Sequence, residues 1–268
     1  MTHYDRIGTT YAGTRHPDPR IERLIAAALG DAQSIVNVGA GIGSYEPRDR
    51  ELVAVEPSAV MIAQRPAEAA SAVQGSAESL PFADGAFDAA LAVLTMHHWS
   101  DWRAGIAELR RVARRRVVML TFDPVYIARY WLVRDYLPEI AVLDETRFPP
   151  LAAVAEAMGG AEIRPVPIAE DCTDGFLCAY WKRPLTYLDA TVRANISSLA
   201  VMPADVLGPP LARLERDVAD GSWADRNAEL LEREEHDFGY RLLVAEPDLT
   251  PPLDRTDDRP AHHHPRGS

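Results

Sequence analysis

Cysteine is nearly absent: Cys172 and Cys178 are the only two in 268 residues. Two are too few for a disulfide framework or a structural zinc site; strand-like alternation would put both on one face, but a buried, inert role is expected. Long hydrophobic runs are missing as well. No stretch approaches the roughly 20 apolar residues that span a bilayer, and the opening MTHYDRIGTT contains no apolar signal core. The chain is therefore expected to be soluble and cytoplasmic, with no membrane partner. Positive charge is in short supply: 28 Lys and Arg stand against 40 Asp and Glu, a formal net charge of −12. A chain that neutralises many phosphates needs a basic surface, which argues against nucleic acid as a partner. No H-E-x-x-H, G-x-S-x-G or P-loop pattern occurs, so nothing points to the zinc peptidases, serine hydrolases or phosphate-loop enzymes. The His262-His263-His264 run stands in a polar tail and is not read as a metal site; no metal is expected.

What is present reads as one α/β domain. Ser34 to Val38, Leu52 to Val55, a weaker Ala72 to Gln74, Phe87 to Leu94 and Val117 to Phe122 are apolar runs of the length and composition of buried strands. Between them lie helical stretches, Arg20 to about Leu29 with Ile21, Leu24, Ile25 and Ala28 on one face, and Trp102 to about Val112. Strands alternating with helices predict βαβ units and a parallel sheet. After Phe122 the pattern changes. Pro124 to about Ile140 is expected to be an aromatic-rich amphipathic helix, Pro150 to Met158 a helix, Glu162 to Val166 a strand and Phe238 to Ala245 the last strand. Residues 168–236 read as helical with proline breaks. The domain is assigned to residues 1–247, with insertions near 124–150 and 168–236, and residues 248–268, dense in Pro, Asp and His, form a polar tail read as disordered.

The informative stretch is IVNVGAGIGSYE, residues 35–46. Glycines at 39, 41 and 43 directly after a strand allow a tight turn and close approach of a ligand to the backbone; a plain strand-to-helix turn uses the same residues. The dinucleotide pattern G-x-G-x-x-G needs its third glycine where Ser44 stands. Only Ser44 to Glu51 separate Gly43 from the next strand, with Pro47 among them. That crossover holds roughly one helical turn, which suits a nucleoside cofactor without a pyrophosphate. Glu56 ends the second strand, 13 residues after Gly43, and a carboxylate there can accept charge-assisted hydrogen bonds from a ribose diol.

A third signal, GSAESLPFADGAFDAALAVL at residues 75–94, completes an ordered set with the glycine turn, Glu56 and the Glu108 to Val112 helix segment. With these motifs the chain resembles the class I S-adenosylmethionine-dependent methyltransferases, and within them the type 11 small-molecule branch, over about residues 35–122. The resemblance implies a Rossmann-like, seven-stranded, mostly parallel sheet with an antiparallel last strand, flanking helices and helical cap insertions. It also implies S-adenosyl-L-methionine as cofactor, S-adenosyl-L-homocysteine as product and a small-molecule acceptor methylated on O, N or C. Position by position it places Gly39, Ala40 and Gly41 against the methionine part, Glu56 on the ribose, Pro57 against the adenine, Ser76 and Ala77 at the adenine edge and Leu94 at the methionine end. Three residues depart from the family pattern: Ser76 and Asn37 each stand where Asp is usual, and Ala113-Arg114-Arg115-Arg116 replaces a Pro-Gly-Gly turn. Those arginines, with Arg110 and Arg111, read as a solvated helix end.

Methyl transfer from a sulfonium needs alignment above all, and an O or N acceptor must also lose a proton, for which histidine is suited near neutral pH. Thr95-Met96-His97-His98-Trp99 follows the fourth strand. His98 is favoured over His97 as the base, although the pair can equally serve to anchor the loop. Tyr11 and Arg15, with Tyr4, read either as a lid over the cofactor, Arg15 meeting its carboxylate, or as surface packing. Tyr126, Tyr130 and Trp131 read either as core or as an acceptor cap, and Asp171 to Trp181 as a second candidate lining. No N-P-P-Y motif ends the fourth strand, which argues against methylation of exocyclic base nitrogens or glutamine amides. The rival readings are a protein of this fold that keeps the cofactor but catalyses a non-methylating reaction or serves as a binding partner, and a nucleotide-dependent oxidoreductase.

Overall fold

The computed structural model describes residues 15–246. In chain order the elements are α1 (Pro19–Leu29), β1 (Ser34–Val38), β2 (Glu51–Glu56), α2 (Ala59–Ala63), β3 (Ala72–Gln74), β4 (Phe87–Val93), α3 (Trp102–Val112), β5 (Ala113–Phe122), α4 (Trp131–Asp135), α5 (Glu139–Arg147), α6 (Leu151–Ala157), β6 (Glu162–Pro165) and β7 (Ile168–Ala169). Short helices α7 (Ala190–Ala194) and α8 (Ser197–Ala200), the longer α9 (Ala204–Ala219), α10 (Ser222–Arg226), α11 (Ala228–Leu231), β8 (Glu235–His236) and β9 (Tyr240–Ala245) complete it.

Seven strands form one sheet in the order β3-β2-β1-β4-β5-β9-β6. The pairs among β1 to β5 are parallel, and β9 runs antiparallel to both β5 and β6. Alternation of side chains builds two cores. Ile35, Ala89, Leu91, Val118 and Leu120 face one way, toward α1 and the chain after Phe122. Val36, Val38, Ala90, Ala92, Val117 and Met119 face the other, toward α3 and α6. Such burial on both faces is why these strands read as unbroken apolar runs. Local chemistry fixes the helix ends: Asp18 caps α1 through Arg20 N, Pro19 opens it, and Gly30 closes it at φ 58°.

Several expectations are corrected. The connection from β1 to β2 contains turns and no helix, because Gly39, Gly41 and Gly43, all at positive φ, and Pro47 leave no run for one. The arginines 114–116 are strand, the first half of β5, and not a helix end: Arg114 pairs with Asp88 and Arg115 with Asp31. Pro124 to Ile140 is a 3₁₀ turn (Pro124–Arg129) followed by α4 and the start of α5; Pro138 removes a backbone donor between them. Leu24 is exposed on α1, whose buried face is Ile21, Ile25, Ala28 and Leu29. Residues 168–236 are largely helical, but begin and end in the small antiparallel pair β7 and β8. Cys172 and Cys178 are both buried and unpaired to each other, outside any strand. Among the described residues no helix is long and apolar enough to cross a membrane.

Candidate active site

β1 and β4 are neighbours in the sheet, yet the chain leaves β1 toward β2 and arrives at β4 from β3 on that same side. β4 then connects away from it. The loops beyond the two strand ends therefore diverge, and a crevice opens at this switch point. It encloses about 1070 Å³, its open mouth included, between Asn37, Gly39 to Ile42, Glu56, Pro57, Ser76 to Glu78, Leu94, Thr95 and His98. Eight of the residues the sequence pointed to, Gly39, Ala40, Gly41, Glu56, Pro57, Ser76, Ala77 and Leu94, line this one space.

Backbone geometry at the crevice is specific. Gly39 and Gly41 sit at φ 68° and 53°, and a β-carbon on Gly39 would meet Thr95 Oγ1 at 1.9 Å, so only glycine fits. Gly39 N and Ala40 N both donate to Val55 O, which bends the turn back over β2. Glu56 is almost fully buried; its Oε2 accepts from Gly41 N at 2.8 Å and its Oε1 from Ser58 N at 2.9 Å. Behind the turn, Arg65 ties the loop together, pairing with buried Glu46 and donating to Gly41 O and Ala70 O. Asn37 Nδ2 donates to the same Glu46, and among the described residues no hydrogen-bond partner reaches the buried Oδ1 of Asn37, a residue of the crevice wall. Leu94, at the end of β4, holds φ 49°, uncommon for a residue with a β-carbon, and donates its N–H to Leu120 O.

Two further motifs position the walls. Glu108 accepts from Leu80 N, and Arg111 donates to Leu80 O and Phe82 O, so the α3 residues clamp the GSAESLPF segment. Glu78 accepts from Ser100 N, Ser100 Oγ and Asp101 N. Burial pushes its carboxyl upward, but these donors outweigh that and hold it below the usual range. Trp99 lies flat against Gly105 of α3, where a β-carbon would fall 2.4 Å from Trp99 Cε3. The turn Met96–His98 is thereby fastened on both sides.

A second cavity of about 660 Å³ adjoins the first, sharing Leu94 and Arg15 with it. Its walls are Phe122, Ile127, Phe148, Phe176, Leu177, Ile196 and Tyr240, with His97, Asp144, Asn195, Ser197 and Ser198 as polar points. The two histidine rings touch, with centroids 3.8 Å apart, but face different spaces: His98 lines the first crevice, and His97 lines the second cavity, stacked on Phe148 with ring centroids 4.7 Å apart. Arg15, on the shared rim, forks onto the fully buried Asp174, Nε to Oδ1 at 2.5 Å. Tyr45, at φ 63°, donates its hydroxyl to the same carboxylate. Tyr4 and Tyr11 lie outside the described residues. Tyr130 and Trp131 line neither cavity; they are core, Tyr130 bonded to Tyr187 and Trp131 Nε1 to Trp181 O. Tyr126 lies on a separate surface depression with them. Of the segment 171–181, Phe176 and Leu177 reach the second cavity.

A glycine turn, a strand-end carboxylate and a switch-point crevice define a nucleoside-cofactor enzyme of the open α/β type. A methyltransferase-domain family profile matches residues 36–121, the span that carries every one of those features except Arg15. A solved chain from Anabaena variabilis ATCC 29413, assigned as a methyltransferase from an antibiotic biosynthesis pathway, is 34% identical over 87% of this chain and 98% of its own, with a TM-score of 0.80. The uncharacterized methyltransferase YcgJ of Bacillus subtilis is 31% identical over 122 residues, 41% of this chain and 44% of YcgJ, so this chain matches less than half the length of that curated relative. The [4+2]-cyclase SpnF, 18% identical with a TM-score of 0.52, shares the fold. The chain belongs to the class I S-adenosyl-L-methionine-dependent methyltransferases. Its crevice fits that cofactor: the bare turn at Gly39 to Gly41 admits close approach, Glu56 offers a carboxylate to a sugar, and the unpartnered Asn37 Oδ1 offers an acceptor to an ammonium.

Proposed function

We propose that the protein transfers the methyl group of S-adenosyl-L-methionine to a small organic acceptor held among Phe122, Phe148, Phe176 and Leu177. The observation that carries this reading is the junction of the two cavities at Leu94 and Arg15: a nucleoside site and an apolar pocket meet at the point where a methyl group passes. In this reading Gly39, Ala40 and Gly41 lie along the methionine part, with Asn37 Oδ1 accepting from its ammonium. Glu56, a carboxylate with about four lone-pair sites, receives the ribose hydroxyls alongside its two backbone donors. Pro57 lies against the adenine and Ser76 and Ala77 at its edge. Leu94 borders the methionine end, and Arg15, its charge shared with Asp174, closes the rim.

Bound in that crevice, the cofactor would supply an electrophilic methyl group on a sulfonium, with a neutral thioether as its leaving group. The chain's own work is positioning: the aromatic and aliphatic walls fix the acceptor and exclude water, and alignment of this kind provides on the order of 7 kcal/mol. His97, facing the acceptor side, takes a proton from an O or N acceptor as it is methylated; His98, on the cofactor side, shapes the crevice instead. Release of S-adenosyl-L-homocysteine, followed by chromatography across a panel of apolar alcohols, phenols and amines, tests the proposal. Cofactor binding with conversion of an acceptor but no such release would replace it with the non-methylating reading.

A further inference from the structure

Asp144 lies in the middle of α5, a helix segment written Leu143-Asp144-Glu145-Thr146 that has the composition of a solvated surface. It is nevertheless 5% exposed and faces the second cavity. Among the described residues no hydrogen bond reaches its carboxylate, and the ionic group acting on it is Arg147, three residues further along the same helix. The other elements packed around the cavity contribute His97, Arg15, Cys178 and Tyr240. Arg15 is committed to Asp174, and the Cys178 thiol and Tyr240 hydroxyl are pushed well up by burial and stay neutral. The formal charges of Arg15 and Asp174 cancel, so among the described residues lining the cavity no Lys or Arg is left to pair with Asp144.

Burying a carboxylate without a partner is costly, and a protein that keeps one in a cavity gains the partner from what fills it. Phe122, Phe148, Phe176 and Leu177 supply apolar surface around it, with Asn195, Ser197 and Ser198 as neutral polar points. We infer that Asp144 anchors a protonated amine carried by an otherwise apolar acceptor, which makes it the specificity-determining residue of the pocket. This rests on the reading of that cavity as the acceptor site. Burial raises the Asp144 carboxyl to about 7, with Arg147 only partly opposing it. The Asp144 carboxyl therefore takes up a proton near neutrality, and an incoming ammonium draws the carboxylate form.

The test uses the full chain saturated with S-adenosyl-L-homocysteine, titrated calorimetrically with 2-phenylethylamine and with 2-phenylethanol at pH 5.5, 7 and 8.5. The amine is expected to bind at least about tenfold tighter than the alcohol at pH 8.5, with the preference shrinking as pH falls to 5.5. Asp144→Asn is expected to abolish the preference and its pH dependence while leaving affinity for the alcohol in place. Equal affinity for amine and alcohol in the unmodified protein, or a preference that survives in Asp144→Asn, overturns the inference and leaves the pocket reading standing. Failure of both compounds to bind, with S-adenosyl-L-homocysteine bound normally, overturns the pocket reading and this inference together. The pH series on the unmodified protein decides the matter even where the variant does not fold.

Discussion

Gly39 and Thr95 stand so close that a β-carbon on the glycine would overlap the threonine hydroxyl, at 1.9 Å from Oγ1. The residue after β1 and the second residue after β4 therefore pack as backbone against side chain. Gly39→Ala is expected to cost about 1–2 kcal/mol for the left-handed backbone and a further 1–3 kcal/mol for overpacking. Calorimetry should show affinity for S-adenosyl-L-homocysteine reduced at least about tenfold. Adding Thr95→Ala should recover only part of the overpacking, because the Thr95 β-carbon would still lie 2.7 Å from the new one and φ stays at 68°. Complete recovery in the double variant would mean that the turn tolerates a side chain and that its glycine is not needed for the ligand.

Glu56→Gln keeps shape and volume but turns one acceptor oxygen into a donor facing Gly41 N or Ser58 N. Charged hydrogen bonds contribute roughly 1.5–3 kcal/mol each. Affinity for the cofactor should fall by about 10- to 100-fold with little change in acceptor binding. An unaltered dissociation constant would remove Glu56 from the ribose.

His97 and His98 should separate kinetically. His97→Ala is expected to lower turnover on an O or N acceptor by about 100-fold and to leave cofactor affinity intact. His98→Ala should weaken cofactor binding and spare turnover at saturating cofactor. Reversed phenotypes would return the proton-accepting role to His98.

Asp174 accepts from Arg15, Tyr45 and Gly175 N while fully buried. Asp174→Ala removes the buried carboxylate from the Arg15 guanidinium, and breaking such pairs costs about 3–5 kcal/mol. Tyr45→Phe removes two hydrogen bonds, the one it donates to Asp174 and the one it accepts from Asp18 N, each worth about 1 kcal/mol. Chemical denaturation should rank the two variants in that order; equal losses would show that the pair is solvated.

Asp18 and Asp144 should give stability profiles of opposite sign against pH. Burial pulls Asp18 upward, but the Arg20 side chain and the N–H groups of Arg20 and Thr173 prevail and hold it at about 2, below its ordinary 3.8. Its contribution, about 2 kcal/mol, is complete above pH 3.8 and disappears as pH falls toward 2. For Asp144 the folded value lies above 3.8, at about 7. Its burden on the fold therefore begins near pH 3.8 and grows until pH 7, reaching at most about 4 kcal/mol. Denaturant titrations should find Asp18→Asn less stable than the unmodified protein at pH 6, with the gap closing in acid. Asp144→Asn should be more stable at pH 8 and no different near pH 3.5. Parallel profiles for the two variants would contradict these environments.

The frame was legible because its signals are local. Parallel strands buried on both faces leave continuous apolar runs, and a turn that only glycine fits leaves Gly39, Gly41 and Gly43 in the text. Glu56 could be found from its distance to that turn. The histidines could not be apportioned, since a 3₁₀ turn over Met96–His98 sends adjacent side chains into different cavities, and nothing in the residue types encodes which. Tyr130 and Trp131 carry an aromatic pattern that a core and a ligand wall share; tertiary partners such as Tyr187 and Trp181 decide it. Asp144 was missed because Glu145 and Arg147 beside it make α5 look solvated. Asp174 and Arg15 meet across 159 positions, a separation at which no spacing rule operates.

The two cavities draw on different stretches of chain. Every residue lining the crevice lies at or before Ser100, whereas most of the lining of the adjoining cavity comes from Phe122 onward, and only Leu94 and Arg15 belong to both. With the acceptor held where it is proposed to lie, substitutions in that lining after position 120 alter what is methylated without rewriting how the methyl donor is held, and chemistry and selectivity are free to diverge at separate rates along one polypeptide.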